Sequence, residues 1–455
     1  MQNLDRHEHT PWLFIIGCSA WLAALLAWGW LYIEDDAYIH LEFARNLAGG
    51  HGFAFQGRVT YGDSSPLWVM LLVGVHSVVP SWAITAKLLG LAGAVGALSG
   101  AYAIARSLAA NLELPPIVAR LSVALLMVQP YFLLWVFSGM EAVSALAVIL
   151  WLSWLSVFAT PGRGPWFLTC AIAGFAPLLR GELLLISTFT VLVASVRLGH
   201  KAGMNRRTVV LTISGWLVAV LPLMAWSIYA MRCFGTLVPN TYAAKRLLGQ
   251  LRPSLATQIV RLIQLFLVGY GAECAVLASA ASLLALLFLK SSRFRREQIR
   301  SLRPAPEMKT AMVFLVFWPV VLSLFYLANH TAVQTRYVLM AGPCLSIVAM
   351  VAVFALAKLL AASSSISRAA LRAATIIAVA AMFGGAIVID YLAAEPQLRN
   401  KAISSSGAMR EMNQWIIQNV PADAPIAVYS LGQIAFEIPN PLLDTGGLVN
   451  PECQP

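Results

Sequence analysis

The chain alternates between long apolar runs and short polar breaks. Measured against a membrane crossing of about 20 residues, apolar runs occupy 12–32, 64–80, 82–105, 117–137, 140–159, 166–196, 208–231, 272–290, 310–328, 337–358 and 372–391. The pattern predicts a polytopic α-helical membrane protein with about eleven transmembrane helices. The first run, Trp12 to Ile33, exceeds the roughly 7–15 apolar residues of a secretory signal and has no small-residue cleavage site after it, so it reads as a retained span. The run 166–196 is too long for one straight crossing and is interrupted by Arg180-Gly181-Glu182. Segment 254–271, with Arg261 among leucines and isoleucines, has the mixed character of an interfacial helix.

After Tyr391 the pattern changes. Gln397, Arg399, Asn400, Lys401 and Asn413 bring in polarity, a helix-like stretch covers 405–419, and Ile426-Ala427-Val428-Tyr429 and Leu442-Leu443 read as short strands separated by Gly432 and Pro439. The chain therefore divides into a membrane domain, 1–393, and a small α/β appendage outside the membrane, 394–455. An appendage of roughly sixty residues buries only a marginal core, so it is expected to lean on the membrane domain. No repeat marks an inverted-repeat transporter.

Composition agrees: 59% of the residues are hydrophobic and 11% charged, with a mean hydropathy of +0.76, where soluble domains carry roughly 25% charge. The net charge of +11 is not a nucleic-acid face. It sits in three loops: Arg197, Lys201, Arg206 and Arg207; Lys290, Arg293, Arg295, Arg296, Arg300, Arg303 and Lys309; Lys358, Arg368 and Arg372. The positive-inside rule makes these loops cytoplasmic and places 33–63, 233–255, 329–336 and the C-terminal appendage outside. Cys18, Cys170, Cys233, Cys274, Cys344 and Cys453 have no metal-ligand spacing and suggest no disulfide framework.

Against this background Glu34-Asp35-Asp36 stands out at the mouth of the first span. Carboxylates in hydrocarbon cost about 2.5–3.5 kcal/mol each on insertion scales, so these three belong in water or a solvated cavity. From Ala37 to Leu47, Ile39, Phe43 and Leu47 recur every four residues with Leu41 and Ala44 beside them, which predicts a short helix on the membrane surface. Asp36 is placed as its N-cap, and Glu42 and Arg45 can pair one turn apart. Capping accounts for Asp36 and leaves Glu34 and Asp35 as surplus charge. His40, one turn after Asp36, and His51 could join the carboxylates around a divalent cation, with Asp35, Asp36 and His51 as the possible ligands.

Several short strings then share one resemblance. Asp35-Asp36-Ala37-Tyr38-Ile39, Ala44-Arg45-Asn46-Leu47, Gly50-His51-Gly52 and Tyr61-Gly62-Asp63-Ser64-Ser65-Pro66-Leu67-Trp68 resemble the first-loop signature of the GT-C glycosyltransferases, in particular the AftB arabinofuranosyltransferase branch. Ser138-Gly139-Met140-Glu141, Leu179-Arg180-Gly181-Glu182, Phe234-Gly235-Thr236, Pro239-Asn240-Thr241-Tyr242-Ala243-Ala244-Lys245, Arg336-Tyr337 and Leu443-Asp444-Thr445-Gly446-Gly447-Leu448 follow in the family's order. Relatives usually carry Arg-Pro-Glu in place of Arg180-Gly181-Glu182, and their external domain commonly runs on past the Asp-x-x-Gly-Leu region.

The resemblance implies a multi-pass enzyme of the bacterial cytoplasmic membrane with an extracytoplasmic active site. It implies transfer of a sugar, arabinofuranose or another pentose, from a polyprenyl-phosphate donor to a hydroxyl of a cell-envelope glycan, lipid or protein. Phosphate is a good leaving group, while the acceptor hydroxyl needs a base. Repulsion between neighbouring carboxylates raises the proton affinity of one, so Asp35 is the expected base, with Asp36 holding the loop or sharing a sugar hydroxyl or metal, and the reverse assignment open. Lys245, Arg246 and Arg336 are the expected phosphate partners. Arg180 and Glu182 are expected to pair with each other or with Glu141, and Tyr242 and Trp68 to stack on sugar, line the lipid groove or form an aromatic belt. His51, Tyr61, Ser65 and Asn240 complete the substrate-binding candidates. The competing class, a transporter or flippase of an amphiphilic or charged solute, would use Arg180, Glu182 and Lys87 as a path, but leaves the polar external loops unexplained.

Overall fold

The computed structural model describes residues 20–21, 30–203, 205–247, 254–290, 306–329, 331, 333–363 and 366–450. Most of the first apolar run, the core of the second basic loop and His330 lie outside the described residues, as do the side chains of Lys245 and Arg246.

The first loop folds as α1 (Asp35–Ala48), a minimal antiparallel hairpin of β1 (Ala54–Phe55) and β2 (Arg58–Val59), and α2 (Pro66–His76). The bundle continues with α3 (Trp82–Asn111), α4 (Ile117–Met127), α5 (Pro130–Val136), α6 (Ala142–Val157), α7 (Arg163–Leu179), α8 (Leu183–Ala202), α9 (Arg206–Phe234), α10 (Asn240–Leu247), α11 (Leu255–Lys290), α12 (Pro306–Ala328), α13 (Thr335–Leu339), α14 (Gly342–Ser363) and α15 (Arg368–Ile389). Seven helices among the described residues are long and apolar enough to cross a membrane, and α4 with α5, bent by 62°, makes an eighth. The chain is a multi-pass membrane protein.

The apolar ladder is redistributed in two places. The run 166–196 breaks at Arg180 into α7 and α8, which pack side by side as a helical hairpin. The run 64–80 forms only α2, 11 residues long. Trp68 early in α2 and Lys87 early in α3 both bond the turn at 137–139, the lysine reaching the Phe137 carbonyl at 2.5 Å, so the chain leaves this end of the bundle and returns to it. Segment 254–271 is helical and ends at a break at Tyr270 inside α11. In the bundle interior α3 meets α6 along Gly93, Gly96 and Gly100; a Cβ on Gly93 would lie 2.4 Å from Ser144 Oγ, the close approach that small residues permit.

No loop separates the membrane domain from the appendage. Helix α15 runs through a π-turn at Asp390–Ala394 into α16 (Glu395–Ile403), then through a second π-turn at Ser404–Ala408 into α17 (Met409–Asn419). The boundary expected at 393 therefore falls inside a continuous helical rod. Beyond it, β3 (Ile426–Val428) and β4 (Leu442–Asp444) pair in parallel around α18 (Gly432–Glu437). Ile416, Ile434 and Ile438 form the small core of this unit. Further support comes from the first loop: in α1 Tyr38 meets Phe436 with ring centroids 5.7 Å apart and Arg45 donates to the Phe436 carbonyl at 2.9 Å, and at the hairpin Gln56 donates to the Asn440 carbonyl at 3.1 Å. Helix α1 is consequently wedged between bundle and appendage, with Ala37, Tyr38, Leu41, Phe43 and Ala44 all buried, where its amphipathic pattern predicted a helix lying on the membrane surface.

Candidate active site

The site starts where α1 starts. Asp35 and Asp36 occupy its first turn, where the positive end of the helix dipole favours carboxylates. Glu34 is in the N-cap position, so the helix begins one residue before the sequence suggested and Asp36 is not its cap. The three carboxylates then diverge. Glu34 turns to Lys401 and the Tyr32 hydroxyl. Asp35 accepts from the Ser430 hydroxyl at 2.9 Å and from the N–H groups of Gly432 and Gln433 at 3.2 and 2.8 Å, tying down the start of α18. Asp36 faces Arg336 Nη1 at 2.8 Å and keeps 47% of its side chain exposed.

A second strand of the site comes from Ser138-Gly139-Met140-Glu141. Gly139 takes φ +79°, a left-handed conformation that glycine adopts without steric cost, and a Cβ there would lie 3.1 Å from Ala37. The turn is pinned by Glu34 N–H to the Ser138 carbonyl at 2.9 Å and by Trp68 Nε1 to the Gly139 carbonyl at 3.2 Å. It delivers Glu141 into a buried charge network. Glu141 pairs with Arg180 and faces His40 Nε2 at 3.2 Å, while His40 Nδ1 lies 2.5 Å from Asp63. Arg180 also reaches Glu182 at 2.7 Å, and Glu182 accepts from the Tyr326 hydroxyl at 2.6 Å.

Burial alone would push the His40 imidazolium down, but Asp63 and then Glu141 outweigh it and raise its pKa to about 10. Burial would likewise push Glu141 up; Arg180 and then His40 instead hold its carboxyl well below the usual carboxylate range. His40 is thus a cation and Glu141 an anion at neutral pH.

The cations form a row. Arg180 and Arg336 both stand over the Tyr337 ring, at 5.5 and 5.3 Å from its centroid. Arg336 and Lys401 both stand over Trp135, at 5.9 and 5.6 Å. Three cations alternate with two aromatic rings, and each cation has a carboxylate of its own: Glu34 on Lys401, Asp36 on Arg336, Glu141 and Glu182 on Arg180. Beside Arg180 opens a cavity of about 350 Å³. Tyr61, Ser65, Arg180, Glu182, Tyr242, Tyr326 and Tyr337 line it, and Leu178, Leu184, Leu223, Leu237 and Phe325 give it an apolar wall. A few convergent polar groups on apolar walls are the usual make-up of a small-molecule pocket.

The fold is that of ArnT. ArnT from Cupriavidus metallidurans bound to undecaprenyl phosphate superimposes with a TM-score of 0.64 at 15% identity, over 98% of this chain and 89% of that one. The apo state of ArnT from the same organism superimposes with a TM-score of 0.53 at 14% identity, over 94% and 86% of the two chains. Residues 394–455 match a family model described as a domain of unknown function, DUF8728. No curated protein matches this sequence.

On the ArnT-like frame the sequence candidates separate into groups. Asp36, Glu141, Arg180, Glu182 and Arg336 come together in the charge network and the row of cations, while Asp35, beside them in sequence, turns to Ser430 and the start of α18. Tyr61, Ser65 and Tyr242 line the cavity with them. Asn240 secures the cavity's edge from outside, its N–H donating to the Tyr61 carbonyl at 2.8 Å and its side chain reaching Thr60 at 3.2 Å. Trp68 is fully buried, a packing residue and not a stacking platform. His51 is exposed beyond the far end of α1, about 20 Å from Asp35 at 1.5 Å rise per residue. Among the described residues no three His, Cys, Asp or Glu side chains come together as a metal group, so the proposed Asp35, Asp36 and His51 set is not assembled. Lys245 and Arg246 belong to α10 by their backbone.

Lys87 donates to the carbonyls of Tyr32 and Phe137, which gives this charge a structural role at the site's end of the bundle instead of a place along a path. The residues that sequence reasoning undervalued are Lys401, Tyr326, Trp135 and Asp63. Asp63 had a readable signal: it stands two residues before Ser65 and accepts that residue's N–H at 2.6 Å, a local Asx turn that opens α2. Lys401 had none, because its partner is 367 residues away.

Proposed function

We propose that the protein is a GT-C glycosyltransferase that moves a sugar, arabinofuranose or another pentose, from a polyprenyl-phosphate carrier to a hydroxyl of a cell-envelope glycan, lipid or protein. The observation that carries this reading is the half-exposed Asp36, held by buried Arg336 next to Tyr337 and the apolar-walled cavity of an ArnT-like fold. In the proposed reaction Asp36 takes the acceptor's hydroxyl proton as the acceptor oxygen attacks the anomeric carbon. The bond from that carbon to the phosphate oxygen breaks, and polyprenyl phosphate leaves with its charge met by Arg180 and Arg336. A single displacement of this kind inverts the anomeric centre. The prenyl chain lies along Leu178, Leu184, Leu223 and Phe325. Asp36 takes the role that the sequence gave first to Asp35, because both oxygens of Asp35 are committed to α18.

The loops that build the site share one end of the bundle and the basic loops the other, so the positive-inside rule supports an extracytoplasmic site in the bacterial cytoplasmic membrane. The test is binding of the carrier: undecaprenyl phosphate titrated into the purified protein in nanodiscs is expected to stabilise it by about 2.7 kcal/mol at a hundredfold excess over Kd, read as a rise in melting temperature. A panel of polyprenyl-phosphate sugars then reads out the sugar. No rise with any of these lipids refutes the donor assignment.

A further inference from the structure

A second cavity opens at the other end of the row of cations from the donor pocket. It measures about 160 Å³, room for roughly five waters at ~30 Å³ each or one sugar ring, and its lining includes Tyr32, Glu34, Asp35, Lys401, Ser404 and Ser430. The membrane domain supplies one wall. The other is supplied by residues of the C-terminal unit, the region that matches the domain of unknown function.

We propose that this cavity is the acceptor subsite and that the C-terminal unit selects the acceptor by forming half of it; the inference rests on the glycosyltransferase reading above. Two observations carry it. The row of cations connects the two cavities, with Arg180 in the donor pocket, Lys401 in this one, and Arg336, which holds Asp36 at 2.8 Å, between them. The second π-turn, Ser404–Ala408, falls at the cavity and carries Ser404 into its lining, and π-turns within helices are frequent at functional sites.

The lining also fixes the ligand class. Glu34 and Asp35 against the single Lys401 leave the cavity with a net negative charge, which repels phosphate and carboxylate ligands. Carboxylates, a lysine and serine hydroxyls offer donors and acceptors to a neutral polyhydroxyl compound. The acceptor is therefore a neutral sugar unit of a glycan, and not a phosphorylated lipid headgroup. A serine or threonine of a protein is the alternative outcome.

The test uses the full chain in nanodiscs and reads melting temperature with three probes: undecaprenyl phosphate, a panel of neutral methyl glycosides, and a serine- and threonine-containing peptide. At least one glycoside is expected to stabilise the protein, and Lys401→Met is expected to weaken that response at least tenfold with the undecaprenyl-phosphate response unchanged. Lys401→Arg should restore it. Ser430→Ala, which removes one hydroxyl from the wall, provides a milder second variant should the Lys401 variants fold poorly. Stabilisation by undecaprenyl phosphate without any glycoside response overturns the acceptor subsite and leaves the donor reading standing. A glycoside response without an undecaprenyl-phosphate response does the reverse. A response to the peptide alone, or a glycoside response indifferent to both Lys401→Met and Ser430→Ala, also overturns the proposal.

Discussion

Replacing Glu141 by Gln is the sharpest perturbation of the buried network, because it keeps the side chain's size and removes one charge between two cations. Arg180 retains Glu182 at 2.7 Å, and His40 retains Asp63 at 2.5 Å. Removing one partner of a buried ion pair costs about 3–5 kcal/mol through the uncompensated charge it leaves. The gap for His40 between 6.5 and about 10 corresponds to a preference for the charged form on the order of 5 kcal/mol. Asp63 provides the larger share, and the smaller share passes through Glu141. With Arg180 still paired, the expected loss is about 3 kcal/mol near neutral pH. The pH profile distinguishes this account from simple loss of packing. His40 has a folded pKa above its unfolded value, so its contribution is fully present below about 6.5 and fades as pH rises through about 10. In Glu141→Gln the folded pKa of His40 falls toward its unfolded value, so the variant loses its smaller contribution early and then levels while the wild type goes on losing stability up to about pH 10; the variant's deficit is full near neutral pH and narrows toward pH 10. On the acid side Glu141 contributes above its unfolded pKa near 4.5 and loses that contribution as pH falls through its depressed folded value. The variant lacks this acid-side loss. The assay is thermal unfolding in detergent from pH 4 to pH 10, followed by tryptophan fluorescence. A variant that melts with the wild type at pH 7, or whose deficit fails to narrow toward pH 10, refutes the charged His40.

Two further substitutions test the assignments around α1. Asp36→Asn is expected to lower transfer by about 10²–10⁴ with undecaprenyl-phosphate binding retained, whereas Asp35→Asn should chiefly cost about 1–3 kcal/mol of stability and expose residues 420–450 to protease; the opposite pattern returns the base to Asp35. Gly432→Ala would set a Cβ 1.8 Å from the Asp35 carbonyl oxygen, backbone against side chain with no room to yield. It is expected to lift α18 off α1 and allow limited proteolysis to remove the C-terminal unit, and a protease-resistant Gly432→Ala protein contradicts the docking seen here.

The bundle was legible because its signal is local: about twenty apolar residues announce a span whatever it packs against. The break at Arg180-Gly181-Glu182 was visible for the same reason, and so were the two short strands of the appendage. Sequence failed where pairing is remote. The stripe Ile39, Phe43 and Leu47 correctly predicted a helix and gave no hint that Phe436 covers its other side. Nor could local spacing separate three consecutive carboxylates, since their partners are Lys401, Ser430 and Arg336, each some three hundred or more positions on. His40 and His51 were both considered beside the carboxylates, but the straight run of α1 carries His51 away from the acidic end, and His40, one turn into the helix, takes the buried position.

The row of cations gives the arrangement its chemical logic. Each cation of the row is matched by a carboxylate of the protein, so the buried charges compensate one another. In the proposed reaction a donor phosphate in the cavity would compete with those carboxylates for Arg180 and Arg336. Were Arg336 drawn toward the phosphate, its hold on the charged form of Asp36 would weaken, the direction a general base requires. Coupling of this kind needs the carboxylate and the phosphate to share one guanidinium. The contact of 2.8 Å between Asp36 and Arg336, beside a ring that Arg336 shares with Arg180, meets that condition; Asp35, bound to Ser430 and the N-terminus of α18, does not.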